Sequence, residues 1–152
     1  MGTYSMRSLV FVLSVCLLAG AAARVAAQAP ASPLPPVVLK AFQQAYPGAT
    51  ISASSQVRDL NRPVFRVASL DKGRRRIVLY DPNGSVIEVA EQVEEKELPP
   101  PVAAAMHAHP RAIYGGGMKV TRGGRVQYHL TVRGTRKTAM VAQPDGTVVS
   151  FK

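Results

Sequence analysis

The sequence predicts an α+β protein built from two tandem repeats, each one helix packed on a three- to four-stranded antiparallel sheet. Two observations carry this. A block of residues returns: Leu34-Pro35-Pro36-Val37-Val38-Leu39-Lys40-Ala41-Phe42, ending in Tyr46-Pro47, comes back as Leu98-Pro99-Pro100-Pro101-Val102-Ala103-Ala104-Ala105-Met106, ending in His109-Pro110. Within each block the hydrophobic period then changes from helical to alternating, and repeats of this kind define an architecture before any single residue does.

Each expected helix opens on a proline pair, tolerated where first-turn N–H groups lack intrahelical partners. Leu34, Val38, Ala41, Phe42 and Ala45 form one apolar stripe, and Leu98, Val102, Ala105 and Met106 form its counterpart. Pro47 and Pro110 forbid a further turn. Strands are expected near 51–57, around Phe65-Arg66-Val67, at 74–80 and at 85–89. In the second copy they fall at 117–122, 126–132, 136–143 and 147–151. Asp81-Pro82-Asn83-Gly84 and Gln143-Pro144-Asp145-Gly146 read as turns, with proline presetting φ and glycine accepting the left-handed position. One sheet face should be apolar and helix-covered, the other polar and open.

The N-terminus has the pattern of a secretory signal. Arg7 gives a positive n-region, Leu9 to Ala23 an apolar h-region, and Ala27-Gln28-Ala29 an A-x-A cleavage site. The apolar stretch is shorter than the roughly 20 residues a spanning helix needs, so no stable membrane insertion is expected after signal removal. An uncleaved anchor is the alternative. The organisation expected is a signal over 1–29, a linker over 30–33, the first repeat over 34–90, an acidic connector over 91–97 and the second repeat over 98–152. Cys16, the single cysteine, lies in the h-region, so a mature chain would be held together by packing alone. Location is expected to be periplasmic or secreted.

The whole chain carries a net charge of +10. Leu34 to Ile87 contributes +5 and Leu98 to Lys152 contributes +7, with −4 between them. Such an excess attracts anionic partners at long range, and equally serves solubility alone.

Chemistry is sparse. No Ser stands in a G-x-S-x-G elbow and no mature cysteine remains as a nucleophile, so no enzyme activity is expected. His107 and His109 sit about 200° apart on a helix and His129 falls on a strand, so no metal site is expected, and no cofactor. Gly115-Gly116-Gly117 with Lys119 lacks the P-loop spacing. The sharper candidate is Arg74-Arg75-Arg76. Alternation places Arg74 and Arg76 with Val78 and Tyr80 on one strand face, opposite Ile77 and Leu79. With Arg66 from the neighbouring strand and His129, Arg133 and Lys137 from the second copy, the expected site is a cationic patch with an aromatic on the open face. Arg forks onto carboxylates and Tyr adds rigid contact area. Ordinary solvated strand residues are the other reading of the same side chains.

Leu34-Pro35…Val38…Ala41-Phe42…Tyr46-Pro47-Gly48-Ala49, the two alternating strands and Asp81-Pro82-Asn83-Gly84-Ser85-Val86 together resemble the PepSY-like, beta-lactamase-inhibitor-like domains of exported bacterial proteins. The second copy joins through Leu98-Pro99, His109-Pro110-Arg111-Ala112 and Pro144-Asp145-Gly146-Thr147-Val148. The resemblance implies a tandem helix-on-sheet module with a binding or inhibitory role. Its implied partner is an unknown acidic protein, such as an envelope or secreted enzyme, met through the open sheet face. An electrostatic binder of an anionic envelope polymer, lipid headgroup or nucleic acid is the alternative. Many relatives are acidic, whereas Arg and Lys dominate here.

Overall fold

The computed structural model describes residues 33–134 and 137–152. The expected signal over 1–29 and most of the linker lie outside the described residues. The elements run in order: α1 (Pro36–Ala45), β1 (Thr50–Asp59), β2 (Arg62–Asp71), β3 (Arg74–Tyr80), β4 (Val86–Val93), a 3-10 turn (Glu95–Glu97), α2 (Pro100–His107), β5 (Ile113–Arg122), β6 (Arg125–Arg133), β7 (Lys137–Ala142) and β8 (Val148–Phe151).

All eight strands form one antiparallel sheet in the order β1 to β8. This overturns the expectation of two tandem helix-on-sheet repeats. The seam is β4 against β5, paired from Glu88↔Arg122 to Val93↔Gly117. Two separate four-stranded sheets would each leave an inner edge of unpaired N–H and C=O groups, and joining them removes both edges. Side-chain alternation is blind to that pairing because it runs through the backbone. β4 also reaches Val93, taking in Glu91 to Val93 of the segment read as a connector. Glu95–Glu97 form the 3-10 turn. There the backbone N–H of Glu94 donates to Glu97 Oε2 at 2.9 Å.

Both helices lie over one face of the sheet. Val38 and Phe42, four apart on α1, pack with Val67, Val78 and Tyr80. Val102 and Met106, four apart on α2, pack with Leu98, Tyr128, Leu130, Val132, Met140 and Ala142. Burying each such side chain contributes roughly 1.5–3 kcal/mol, which the short helices need because their own propensity is marginal. The Tyr46 N–H still donates to the Phe42 carbonyl at 2.9 Å, and Pro47 ends α1 there. The proline-glycine turns fasten the helix starts to the sheet. A Cβ on Gly146 (φ +88°) would stand 2.7 Å from the Pro101 carbonyl oxygen. One on Gly84 (φ +85°) would stand 3.2 Å from Val37. Both positions need glycine twice over, for conformation and for space.

Candidate interaction surface

The face without helices is read directly from register. One rung crosses the sheet as Ser55, Arg66, Leu79, Glu88, Arg122 and Arg125. The next is Ala53, Ala68, Ile77, Ala90, Val120 and Gln127, an apolar band across the middle. A third brings Gln92, Met118, His129, Val141 and Ser150 together. Arg133 and Lys137 stand opposite each other two rungs beyond His129.

This face is curled. Arg122 on β5 meets Glu88 of β4 at 3.4 Å and also pairs with the Asp59 carboxylate at the end of β1. β1 and β5 are four strand steps apart, about 19 Å in a flat sheet. No arginine and aspartate side chains bridge that span, so strong twist and coiling bring the β1–β2 hairpin over the bare face. Val64, on this helix-free side, is consequently only 2% exposed, and Ala90 only 8%. Beneath the bridge lies a hollow of about 540 Å³, with Leu60, Pro63, Val64, Pro82 and Ile87 among its walls. On the other flank of Arg122 a second hollow, about 640 Å³, takes in Glu88, Val120, Arg125, Gln127 and His129. Arg122 divides the two.

Four of the seven residues expected on the open face are there. Arg66 is half-buried, while His129, Arg133 and Lys137 are exposed. His129 Nε2 stands 3.5 Å from Gln127 Oε1. Among the described residues Arg66, Arg125, Arg133 and Lys137 make no ion pair. They form no single cluster, since Arg66 is four strands from His129.

Arg74, Arg76 and Tyr80 are on the opposite, helix-covered face, which corrects the expected patch. β3 alternates as expected, but with the opposite phase. Val78 and Tyr80 are the inward residues, fully buried under α1, and Arg76 and Arg74 follow them to that side. Ile77 and Leu79, apolar as they are, face the bare side. Arg76 is tolerated there because Nε donates to Glu91 Oε1 at 2.9 Å, Asp71 lies 3.6 Å away, and its guanidinium sits 4.2 Å over the Tyr46 ring. Arg74 pairs with Glu97 at 2.7 Å. That bond, first among the causes, holds the Glu97 carboxyl below the usual carboxylate range. Burial pushes the Tyr80 phenol up to about 12, with the nearby Tyr46 adding to the rise and Arg76 opposing it.

Sequence reading missed Arg122, Arg125, Asp59 and Glu88. One signal was present. Asp59 with Arg62, and Arg122 with Arg125, flank two-residue turns, and residues closing such a turn share a face.

The remaining histidines are engaged singly: His107 Nε2 stands 3.1 Å from Glu95 Oε1, and His109 stacks on Phe151 with ring centroids 3.8 Å apart. Among the described residues no three His, Cys, Asp or Glu side chains group to hold a metal ion. No described helix is long and apolar enough to cross a membrane.

No family model matches the chain, and neither does any curated protein. Solved structures do. A protein from Bacteroides eggerthii DSM 20697, described as periplasmic, superposes with a TM-score of 0.66 at 16% identity, over 80% of this chain and 89% of that one. A DUF2874 family protein from Bacteroides uniformis ATCC 8492 gives 0.64 at 18% identity, over 78% and 88%. A BLIP-like protein from Bacteroides fragilis NCTC 9343 gives 0.62 at 17% identity, over 81% and 88%. The chain therefore has a BLIP-like fold, shared with DUF2874 proteins. At these identities the likeness concerns fold alone.

Proposed function

We propose that this chain is an exported, non-enzymatic PepSY-like binding module, acting in the periplasm or outside the cell. Its curled, helix-free face docks on an acidic protein, and it inhibits or modulates an envelope or secreted enzyme by covering its surface. One observation carries this reading. The apolar band of Ala68, Ile77, Ala90 and Val120 lies among cations, Arg66, Arg125, Arg133 and Lys137, that have no ion-pair partner among the described residues. An apolar centre with a polar rim is the usual anatomy of a protein interface, and unpaired rim cations speed encounter with an acidic partner. The BLIP-like and periplasmic descriptions of the structural neighbours support the same reading.

The test is capture from periplasmic extract followed by charge reversal. Wild-type protein should retain one defined protein, and combined Arg66→Glu, Arg125→Glu and Arg133→Glu should abolish retention. Lys40→Glu, on the exposed side of α1, should leave it intact. Retention that survives the triple reversal would remove the bare face from consideration. The net charge of +10 supports one second reading, an anionic envelope polymer, lipid headgroup or nucleic acid as partner. That reading predicts binding to a probe such as polyphosphate that collapses with salt and is weakened alike by reversals on either face.

A further inference from the structure

The β1 edge points to a second partner, another copy of this chain. We propose that two copies pair their β1 strands antiparallel about a two-fold axis at Gln56, joining two eight-stranded sheets into one.

The meander leaves two edges, β1 and β8. β8 has four residues and β1 has ten. Exposed edges are ordinarily blunted by charge, proline or shortness. Thr50 to Val57 of β1 contains no charged residue and no proline. The backbone directions follow from the hairpin. Leu60 and Asn61 have φ of 47° and 64°, the pattern of a two-residue type I′ turn, whose closing pair Asp59↔Arg62 is hydrogen-bonded. Alternation from that pair turns the N–H and C=O of Arg58 and Gln56 outward, away from β2. Pro63, which has no N–H to give, sits opposite Arg58 as that pattern requires.

A two-fold axis at Gln56 lets the two Gln56 residues exchange both backbone hydrogen bonds. It sets Arg58 opposite Ser54 of the second copy and Asp59 opposite Ala53, so no like charges face each other. The flanking side chains, Ser54, Ser55 and Val57, are small enough for two pleats to meet. The bulge between Ile51 and Ala53, where Ser52 Oγ donates to the Ala68 carbonyl at 3.2 Å, ends the pairing and limits it to a dimer contact. Opposing the contact is the net charge of +8 that residues 34–152 of each copy carry, a long-range repulsion that salt screens. Self-association therefore strengthens with salt, the reverse of binding to an acidic partner.

Sedimentation velocity of the purified protein, from low micromolar to millimolar concentration at low and high salt, tests this. A dimer that grows with concentration and salt is expected. Gln56→Lys and Gln56→Glu, at an exposed position, each place like charges directly opposite and should weaken it about fivefold. Mixing the two variants should restore association as a heterodimer. A monomer throughout the range would overturn the proposal, as would a dimer indifferent to both variants. The triple reversal on the bare face leaves this edge untouched, so the two proposals fail separately.

Discussion

Arg74 and Arg76 on the helix-covered face handle positive charge differently from Arg66 and Arg125 on the bare face. Under the helices Arg76 lies against Glu91, Asp71 and the Tyr46 ring, and Arg74 reaches Glu97 and Glu94. On the bare face Arg122 is the one cation in an ion pair among the described residues, and its partners lie on β1 and β4 rather than at a helix. Its neighbours Arg66, Arg125, Arg133 and Lys137 point from the same surface with no ion pair among the described residues. Arg76, with a side chain only 18% exposed, must be satisfied because burial makes an unpaired charge costly. Arg125, Arg133 and Lys137, exposed on the bare face, are under no such demand, so they are available to something outside the chain.

That contrast breaks first in stability. Phe42→Ala empties a site that is 1% exposed and should cost about 3–5 kcal/mol in urea or thermal unfolding. Leu79→Ala, on the half-buried bare face, should cost markedly less. Equal losses would mean that the bare face is also core, and the covered and uncovered sides would cease to differ.

The helix fastenings come next. Gly146→Ala forces a left-handed alanine into the Pro101 carbonyl and should cost more than 2 kcal/mol, on the scale of about 1–2 kcal/mol for the conformation alone plus the clash. Gly73→Ala, at φ +79° with no atom within 4 Å, should show the conformational part only. If the two are alike in chemical denaturation, the turn does not hold α2 to the sheet.

How much of this could be read beforehand depends on which forces act locally. The helix stripes of Val38 with Phe42 and Val102 with Met106, the proline stops, and the glycine turns were all legible, because capping, φ preference and periodicity are properties of a few neighbouring residues. The joined sheet was not, since β4 and β5 meet through backbone groups that every sequence carries. Nor was the phase of β3. Both of its faces hold apolar residues, Val78 and Tyr80 against Ile77 and Leu79, and only the position of α1 decides which is core. An arginine triplet reads as solvent-facing until Glu91 and Tyr46, distant in sequence, are found beside it. The curl of the bare face was equally hidden, because Asp59 and Arg122 are 63 residues apart.

Tyr80 sharpens the comparison through pH. Its folded-state phenol is pushed from 10.0 up to about 12, chiefly by burial, so the fold favours the neutral form. Its contribution to stability is complete below pH 10 and is lost as pH rises from there toward about 12. Denaturation midpoints measured across that window should fall for the wild type and fall less for Tyr80→Phe. An unchanged slope would place the alkaline sensitivity elsewhere, with Tyr46 and Tyr114, both also raised by burial, as the next variants.

The smallest stability effect belongs to Arg122→Gln, and its consequence for shape is the larger one. Exposed ion pairs contribute only about 0–1 kcal/mol, and the Arg122 side chain is 43% exposed, so the unfolding midpoint should hardly move. Without the bridge, however, the β1–β2 hairpin loses its ion pair to β5, and the hollow beside Val64 loses one of its walls. Backbone amides around Val64 should exchange faster with deuterium, while those around Val67, under α1, stay protected. Capture of an acidic partner should weaken in parallel if the curl presents the apolar band at the right angle. Faster exchange with undiminished capture would separate the curvature from recognition and leave the cations alone to account for binding. Unchanged exchange would mean that the twist of the sheet suffices to hold the curl, with Arg122 following the shape rather than setting it.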